Sequence, residues 1–253
     1  MNKTSVGQEQ VNGISVVINT YNASCHLQQV LDTVKGFDEV VVCDMESTDD
    51  TLDIAKRNGC KIVVFPRGNY QICEPARQTA IDAASCKWVL VVDADELVTP
   101  ELKEYLYSLI GKEDAPQGLY VPRKSRFMGR FMHCFYPDYQ LRFFIRKDTV
   151  WPSIIHADPI IKGRIEKIPA MHADMALVHL ADDSIASRMG KINQYTANEI
   201  EKKIAIMEWQ PYSIVRLCVS SVLIYRRVDS GMVRKDLSVP AMKESISLLL
   251  SVR

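Results

Sequence analysis

The chain has 253 residues, of which 47% are hydrophobic and 25% charged, a composition typical of a soluble globular protein with a sizeable core. Basic and acidic residues number 31 each, so the net charge points to no class of partner. The seven cysteines form no C-x-x-C pair, and there is neither an apolar signal segment nor an uninterrupted apolar run of about 18 residues. These features predict a cytoplasmic protein.

Four short β-branched runs punctuate the first hundred residues, at 14–18, 39–43, 61–65 and 87–92. Segments with helical spacing or helix-capping residues separate them, at 26–34, 51–58 and 74–84. The runs are nearly continuous in apolar residues, which is typical of strands that are covered on both faces. Strands that alternate with helices predict right-handed βαβ units and a mostly parallel α/β sheet.

The second half of the chain changes character. Thr99 and Pro100 predict the start of a helix that runs through Ile110, and residues 118–122, 140–146 and 176–180 have the pattern of strands. From about residue 183 the pattern is helical, which predicts an α/β domain over 1–182 and a helical extension over 183–253. Within the extension, residues 212–228 combine aliphatic side chains with arginines, which suits a helix at a membrane interface or one packed on the domain.

Three carboxylates, on Asp93, Asp95 and Glu96, follow the fourth apolar run directly. Such groups repel one another and are costly to desolvate, so something must hold them together. The D-x-D spacing suits a hard divalent cation, Mg²⁺ or Mn²⁺, that leaves positions open for phosphate. A solvated turn that caps the next helix is the competing interpretation. Ligands of parallel sheets bind beyond the carboxyl ends of the strands, so residues 19–22 and Asp44 should converge there too.

Other chemistries lack their motifs. The sequence contains no G-x-x-x-x-G-K-[ST], no G-x-G-x-x-G after the first strand and no G-x-S-x-G. A phosphatase with an aspartate nucleophile would carry its D-x-D after the first strand, and the five histidines show no zinc spacing.

Four segments together resemble the family 2 glycosyltransferases, which have the GT-A fold. They are ISVVINTYNAS, VVVCDMESTDDT, ARQTAIDAASCKWVLVVDADE and YQLRFFIRK. The branch that they resemble most contains lipopolysaccharide core glycosyltransferases. The resemblance implies a GT-A (Rossmann-like) sheet flanked by helices and an inverting transfer of a sugar. The donor would be a nucleotide-sugar such as a UDP-hexose, and the acceptor a cell-envelope glycan such as lipopolysaccharide core.

The resemblance also implies a donor site at the strand ends. Thr20, Tyr21 and Asn22 would line the nucleoside pocket, and Asp44 would accept a hydrogen bond from the base. The other residues expected to contact the donor are Arg77, Asp93, Ala94 and Arg142. Two positions depart from the family pattern, because Glu46 stands where Gly is expected and Gln78 where Asn often follows Ala-Arg. A helix-surface salt bridge is the alternative role for Arg77.

On the acceptor side, the resemblance assigns metal and proton chemistry. Asp95 would coordinate Mg²⁺ or Mn²⁺, and His179 would add a ligand unless it is a hydrogen-bonded core histidine. Asp138 would be the base that takes the acceptor proton, with a turn aspartate after Pro137 as the alternative. Arg142 could hold Asp138 or the diphosphate, although an arginine in a strand more often faces solvent.

The expected partners are the nucleotide-sugar donor and a glycan or glycolipid acceptor, and no nucleic acid. The C-terminal helices could bring the protein to the inner face of the membrane. Two other functions remain open. A nucleotidyltransferase on a similar sheet would need a G-x-G-T-R-like loop after the first strand, which is missing. A non-catalytic nucleotide-sugar-binding relative would need a broken site, yet Asp93, Asp95 and Asp138 are present.

Overall fold

The computed structural model describes residues 11–70, 72–127, 130–153 and 157–180. The predicted boundary at residue 182, the helical extension over 183–253 and its helix over 212–228 lie outside these residues. In the part of the chain that the structure describes, no helix is long and apolar enough to cross a membrane.

These residues form an α/β fold of ten strands and four α-helices. The strands are β1 (Val11–Thr20), β2 (Glu39–Asp44), β3 (Lys61–Val64), β4 (Cys86–Asp93), β5 (Glu96–Val98), β6 (Gly118–Phe127), β7 (Arg130–Phe131), β8 (Asp138–Ile145), β9 (Ile165–Lys167) and β10 (Leu177–Leu180). The helices are α1 (Ser24–Thr33), α2 (Thr51–Arg57), α3 (Glu74–Ala83) and α4 (Pro100–Ile110), and one 3₁₀ turn covers His133–Phe135. The α/β class and every helix predicted within the described residues are confirmed.

One sheet contains all ten strands, and its main path has the order β3-β2-β1-β4-β8-β6-β10-β5. Strands β3, β2, β1 and β4 run parallel, as the βαβ pattern predicts. Strand β8 lies antiparallel to β4, and β6 lies antiparallel to β8. Strands β7 and β9 pair with β6 beside this path. The chain therefore builds a parallel half first and then extends it with a mixed half.

Helices cover both faces of the sheet. Helices α1, α2 and α4 pack on one face, where Leu27, Ile54 and Leu106 belong to the same core as Trp88 and Phe143 of the sheet. The last two rings stack with centroids 5.1 Å apart. Helix α3 packs on the opposite face. Two-sided cover explains why β1, β2 and β4 are nearly continuous apolar runs in the sequence.

The N-cap of helix α4 is bonded to the segment that leads into β10. The Thr99 hydroxyl accepts a hydrogen bond from the Leu102 amide at 3.4 Å, which satisfies one of the free amides of the first turn. The same hydroxyl donates to the Ala176 carbonyl at 3.1 Å, just before β10. Strand β10 pairs with β5 and β6, so the cap of α4 is tied to the part of the sheet that carries His179.

Candidate functional site

The carboxyl ends of β1, β2 and β4 meet at one edge of the sheet. In the strand register Thr20 lies opposite Asp44, and Asn19 lies opposite Asp93. This is the convergence that the sequence predicts for polar residues at strand ends. The candidate site is therefore assembled by the parallel half of the sheet, and β6, β8 and β10 bring further side chains to it.

Asp44 organises the loop after β2. Its side chain is fully buried, and its Oδ1 accepts hydrogen bonds from the hydroxyls of Thr20 at 2.8 Å and Ser47 at 2.6 Å. Its Oδ2 accepts from the Ser47 amide at 2.8 Å. These contacts hold the β2 loop against the end of β1. The contact of Asp44 with a donor base stays a prediction.

Asn22 joins the loops that follow β1 and β2. Its amide donates to the Ser47 hydroxyl at 2.8 Å, and its side-chain Oδ1 accepts from the Thr48 amide at 2.8 Å. Asn22 has a φ of 47°, a left-handed conformation that asparagine adopts more readily than most residues. Its neighbour Tyr21 is 40% exposed beside these loops. The lining of a nucleoside pocket by Thr20, Tyr21 and Asn22 stays a prediction.

The backbone conformation of Glu46 explains why the family pattern has glycine at this position. It has a φ of 60°, in the left-handed region that costs other L-residues roughly 1–2 kcal/mol. The backbone keeps this turn although the residue is not glycine. The Glu46 Oε2 accepts a hydrogen bond from the Arg67 amide at 3.2 Å, so the side chain ties the loop after β2 to the loop after β3.

Asp93 is held by two buried arginines. Its Oδ1 accepts from Arg77 Nη2 at 2.8 Å and its Oδ2 from Arg142 Nη2 at 2.5 Å, while each arginine is only 5% exposed. Arg77 is therefore not a surface salt bridge, and Arg142 is not on a solvated strand face. Arg77 keeps Nε and Nη1, and Arg142 keeps Nε, without a hydrogen-bond partner among the described residues.

A third arginine, Arg123, pairs with the carboxylates of Glu96 and Asp138. Arg123 donates from Nη1 to Glu96 at 3.2 Å and from Nε and Nη2 to Asp138 Oδ2 at 2.8 and 2.6 Å. Arg123 and Asp138 lie opposite each other in the β6–β8 register. The prediction that Arg142 could hold Asp138 is therefore wrong, because pairing of β8 with β4 brings Arg142 to Asp93 instead.

The arginines set the charge of this cluster. Burial by itself raises the pKa of Asp93, but the nearby Arg142 and Arg77 outweigh burial and hold the pKa well below its usual range. Burial raises the pKa of Glu96, and the charge of Asp93 raises it further, against the opposing effect of Arg142 and Arg123. Asp93 is thus anionic in the folded protein.

These contacts explain how the carboxylates of Asp93 and Glu96 can lie close together. Glu96 is fully buried, and its Oε2 accepts from the Asp93 amide at 3.0 Å, so its place inside the turn is structural. Guanidinium groups therefore supply the positive charge beside Asp93 and Glu96. That a cation binds at these carboxylates, through Asp95, stays a prediction. Ala94, in the turn between β4 and β5, packs its methyl group against the core, and its donor contact stays a prediction.

Asp95 stands apart from the arginine cluster. Its Oδ2 lies 3.3 Å from His179 Nε2, and the two side chains are 38% and 26% exposed. Strand β10 fixes this approach, since the Leu180 amide donates to the Asp95 carbonyl at 2.7 Å. Burial lowers the pKa of His179, but the hydrogen bond to Asp95 and its charge outweigh burial and raise the pKa above the usual range.

Asp95 and His179 are separated as two ligands of one divalent cation would be, and their role as metal ligands stays a prediction. Two neighbouring ligands of an octahedral ion with bonds of about 2.1 Å lie about 3 Å apart, close to the separation of these two atoms. Among the described residues no group of three or more His, Cys, Asp or Glu side chains is arranged to hold a metal ion. Phosphate oxygens and water would have to complete the coordination, as is common for Mg²⁺.

Ser47 and Arg123 belong to the site but are absent from the residues predicted for it. Ser47 could have been found, because a serine three residues after a strand-end aspartate is typical of a turn stabilised by side-chain hydrogen bonds. Arg123 carries no local signal, because its two partners are 27 and 15 residues away.

Comparison with known proteins identifies the family. The family model described as glycosyl transferase family 2 matches residues 15–164, more than half of the chain. An uncharacterized glycosyltransferase of Rickettsia typhi is 26% identical over 223 residues, which span 83% of this chain and 73% of that protein. Another, from Rickettsia conorii, is 39% identical over 101 residues, 38% of this chain and 34% of that protein. The chain therefore spans about a third of the length of this second relative.

The solved structures that this chain resembles include glucosyl-3-phosphoglycerate synthase of Mycobacterium tuberculosis in complex with Mn²⁺, uridine diphosphate and glucosyl-3-phosphoglycerate. It is 23% identical with a TM-score of 0.37, and the match covers 47% of this chain and 44% of that one. The family model, whose match spans β1 to the loop before β9, thus agrees with the motifs at the strand ends. The chain belongs to glycosyl transferase family 2.

Proposed function

We propose that the protein is a metal-dependent inverting glycosyltransferase. It moves a sugar from a nucleotide-sugar, a UDP-hexose, to a hydroxyl group of a cell-envelope glycan such as lipopolysaccharide core. The observation that carries this proposal is the pair of Asp95 and His179, 3.3 Å apart beside an arginine-held aspartate at the strand ends. Membership of glycosyl transferase family 2 supports sugar transfer as the reaction.

Donor binding would use the edge where β1, β2 and β4 end. Thr20, Tyr21 and Asn22 would line the nucleoside pocket there. Among the described residues, the buried Arg77 Nε and Nη1 and Arg142 Nε have no hydrogen-bond partner, and nucleotide oxygens are acceptors that would suit them. Asp93 supports this role indirectly, because it orients the two guanidinium groups from between them.

Asp95 and His179 would hold Mg²⁺ or Mn²⁺, which when bound supplies positive charge to the departing diphosphate. Asp138 would be the base. Arg123 anchors its Oδ2, and among the described residues Oδ1 accepts a single hydrogen bond, from Gln140 Nε2 at 2.9 Å. Oδ1 would take the acceptor proton as the acceptor oxygen bonds to the sugar and the bond from the sugar to the diphosphate breaks.

The proposal is tested by incubating the full chain with a panel of UDP-sugars and candidate glycan acceptors in Mn²⁺, and following free UDP. Asp95→Asn should lower kcat/KM by at least about 100-fold, whereas Asp53→Asn, an exposed carboxylate of α2, serves as the matched control. Asp138→Asn should lower kcat by about 10²–10⁴ and leave the Kd of UDP within a few-fold.

Each alternative has its own outcome in this assay. Normal turnover in EDTA would contradict metal dependence, and normal turnover of Asp138→Asn would require another base. Release of pyrophosphate, when a nucleoside triphosphate replaces the UDP-sugar, would identify a nucleotidyltransferase. Tight UDP-sugar binding without turnover on any acceptor would favour a non-catalytic relative.

We also infer peripheral contact with a membrane, from the sequence of residues 212–228 alone. A lipid-linked acceptor would be reached from the inner membrane face if this amphipathic segment bound anionic lipid. Sedimentation with anionic vesicles, lost at high salt and on replacing Arg226 and Arg227 by Glu, is the expected result. No vesicle binding by the native chain would contradict it.

A further inference from the structure

Arg67 lies directly on the ring of Tyr21. The Arg67 Cζ atom is 3.3 Å from the centroid of the Tyr21 ring, a cation–π contact at van der Waals distance. Tyr21 follows the last residue of β1, and Arg67 lies in the loop after β3, so the contact joins two of the loops at the carboxyl edge of the sheet.

Two hydrogen bonds hold Arg67 in this position. Its Nε donates to the Tyr70 carbonyl at 3.2 Å, and its backbone amide donates to Glu46 Oε2 at 3.2 Å. Glu46 offers this acceptor from a left-handed turn, in which glycine, lacking a side chain, could not make the bond. The departure of Glu46 from the family pattern and the position of Arg67 are therefore linked.

The contact has a steric consequence for any ring that stacks on Tyr21. A stacked base needs about 3.5 Å on each side of its plane, so a base between Tyr21 and Arg67 would separate them to about 7 Å. The Arg67 guanidinium already fills the space against the Tyr21 ring that the base would need. A base can stack on this face only after Arg67 has moved away and its bond to Tyr70 has broken.

We propose that Arg67 gates the nucleoside pocket: it occupies one face of the Tyr21 ring, and a donor base that stacks on this face must displace it. This inference rests on the proposed function, because it assumes a nucleotide donor. A cation–π contact at an exposed site is worth about 0.5–1 kcal/mol, which corresponds to about 2- to 5-fold in Kd. Arg67 thus sets the affinity for the base and leaves the affinity for the diphosphate to other residues.

The test compares the Kd of UDP with the Kd of inorganic pyrophosphate, each measured calorimetrically in Mn²⁺. Pyrophosphate lacks a base, so it reports the loss of the Arg67 charge alone. In Arg67→Ala the ratio of the UDP Kd to the pyrophosphate Kd should fall about 2- to 5-fold. In Arg57→Ala, an exposed arginine at the end of α2, the ratio should equal that of the native protein.

A second pair of variants tests the link to Glu46. Glu46→Ala and Glu46→Gly both remove the acceptor for the Arg67 amide, so both should lower the ratio in the direction of Arg67→Ala. An unchanged ratio in Arg67→Ala overturns the gate. If the native protein still binds UDP in that case, the proposed function stands. A higher ratio also overturns it, because Arg67 would then clamp the base. No binding of UDP by the native protein or by Arg67→Ala would overturn both the gate and the proposed function.

Discussion

Asp93, Arg77 and Arg142 form a buried ionic group whose members depend on one another. Removal of one partner from such a group leaves an uncompensated charge in the interior, which is far more costly than the net contribution of the intact group. Asp93 thus has a structural role in addition to any contact with a ligand. Asp95, two residues away, has the same side chain but is 38% exposed, and its carboxylate pairs with His179.

This difference predicts that two matched variants lose different amounts of folding stability. Asp93→Asn should lower the free energy of unfolding by about 3–5 kcal/mol, because Arg77 and Arg142 lose their counter-charge. Asp95→Asn should change it by less than about 1 kcal/mol, as expected of a half-exposed pair. Urea denaturation monitored by tryptophan fluorescence measures both, and equal losses would contradict the structural role of Asp93.

The same group has a pH signature. The folded-state pKa of Asp93 lies below its unfolded value of about 4, so its stabilisation is fully present above that pH and is lost as the pH falls towards the folded-state pKa. The difference in stability between the native protein and Asp93→Asn should therefore shrink when the pH is lowered below about 4. A difference that stays constant down to pH 2 would contradict this assignment.

At the level of elements, the helices and the first four strands were predictable because their signals are local. The predicted helix over 51–58 is α2 (Thr51–Arg57), and Thr99 caps α4 as its sequence indicates. Strands β5, β7 and β9 were missed. They are two or three residues long, too short for an alternating pattern, and they exist only because a neighbouring strand offers hydrogen bonds.

The cap of α4 gives a testable case at this scale. Thr99→Ala removes the acceptor for the Leu102 amide and the donor to the Ala176 carbonyl, so we expect a loss of about 1–2 kcal/mol in the free energy of unfolding. Thr99→Ser keeps the hydroxyl group and should stay within about 0.5 kcal/mol of the native value. Similar losses in the two variants would show that the methyl group of Thr99, and not its hydroxyl, is what matters.

Across the whole molecule, the two-sided cover of the sheet determines which cysteines can react. Cys43 and Cys86 are buried in strands, whereas Cys25 and Cys134 are exposed. Burial raises the pKa of the Cys43 thiol to about 11, with a further contribution from the charge of Asp44. Because the thiolate is the reactive form, both burial and the raised pKa protect Cys43.

We therefore predict ordered alkylation by iodoacetamide at pH 8. Cys25 and Cys134 should be modified in the folded protein, and Cys43 and Cys86 only when the sheet unfolds. Peptide mapping by mass spectrometry, repeated in denaturing urea as the control, measures the four rates. Modification of Cys43 as fast as Cys25 in the folded state would contradict the packing of α3 on β2.

The sequence by itself determined the α/β class, the parallel direction of the first strands and the edge at which Thr20, Asp44 and Asp93 meet. Those features follow from local periodicity and from the geometry of βαβ units, which leaves little choice. The sequence also indicated the family, through four motifs that occur in the family's order.

Only the tertiary structure decided which arginine meets which carboxylate. Arg142 and Asp138 are four residues apart on β8, yet Arg142 reaches Asp93 on β4 and Asp138 meets Arg123 on β6. Their partners depend on the register of β8 against two antiparallel neighbours. A one-residue slip in a strand moves every side chain to the opposite face, so this choice rests on pairings between distant segments that no local pattern encodes.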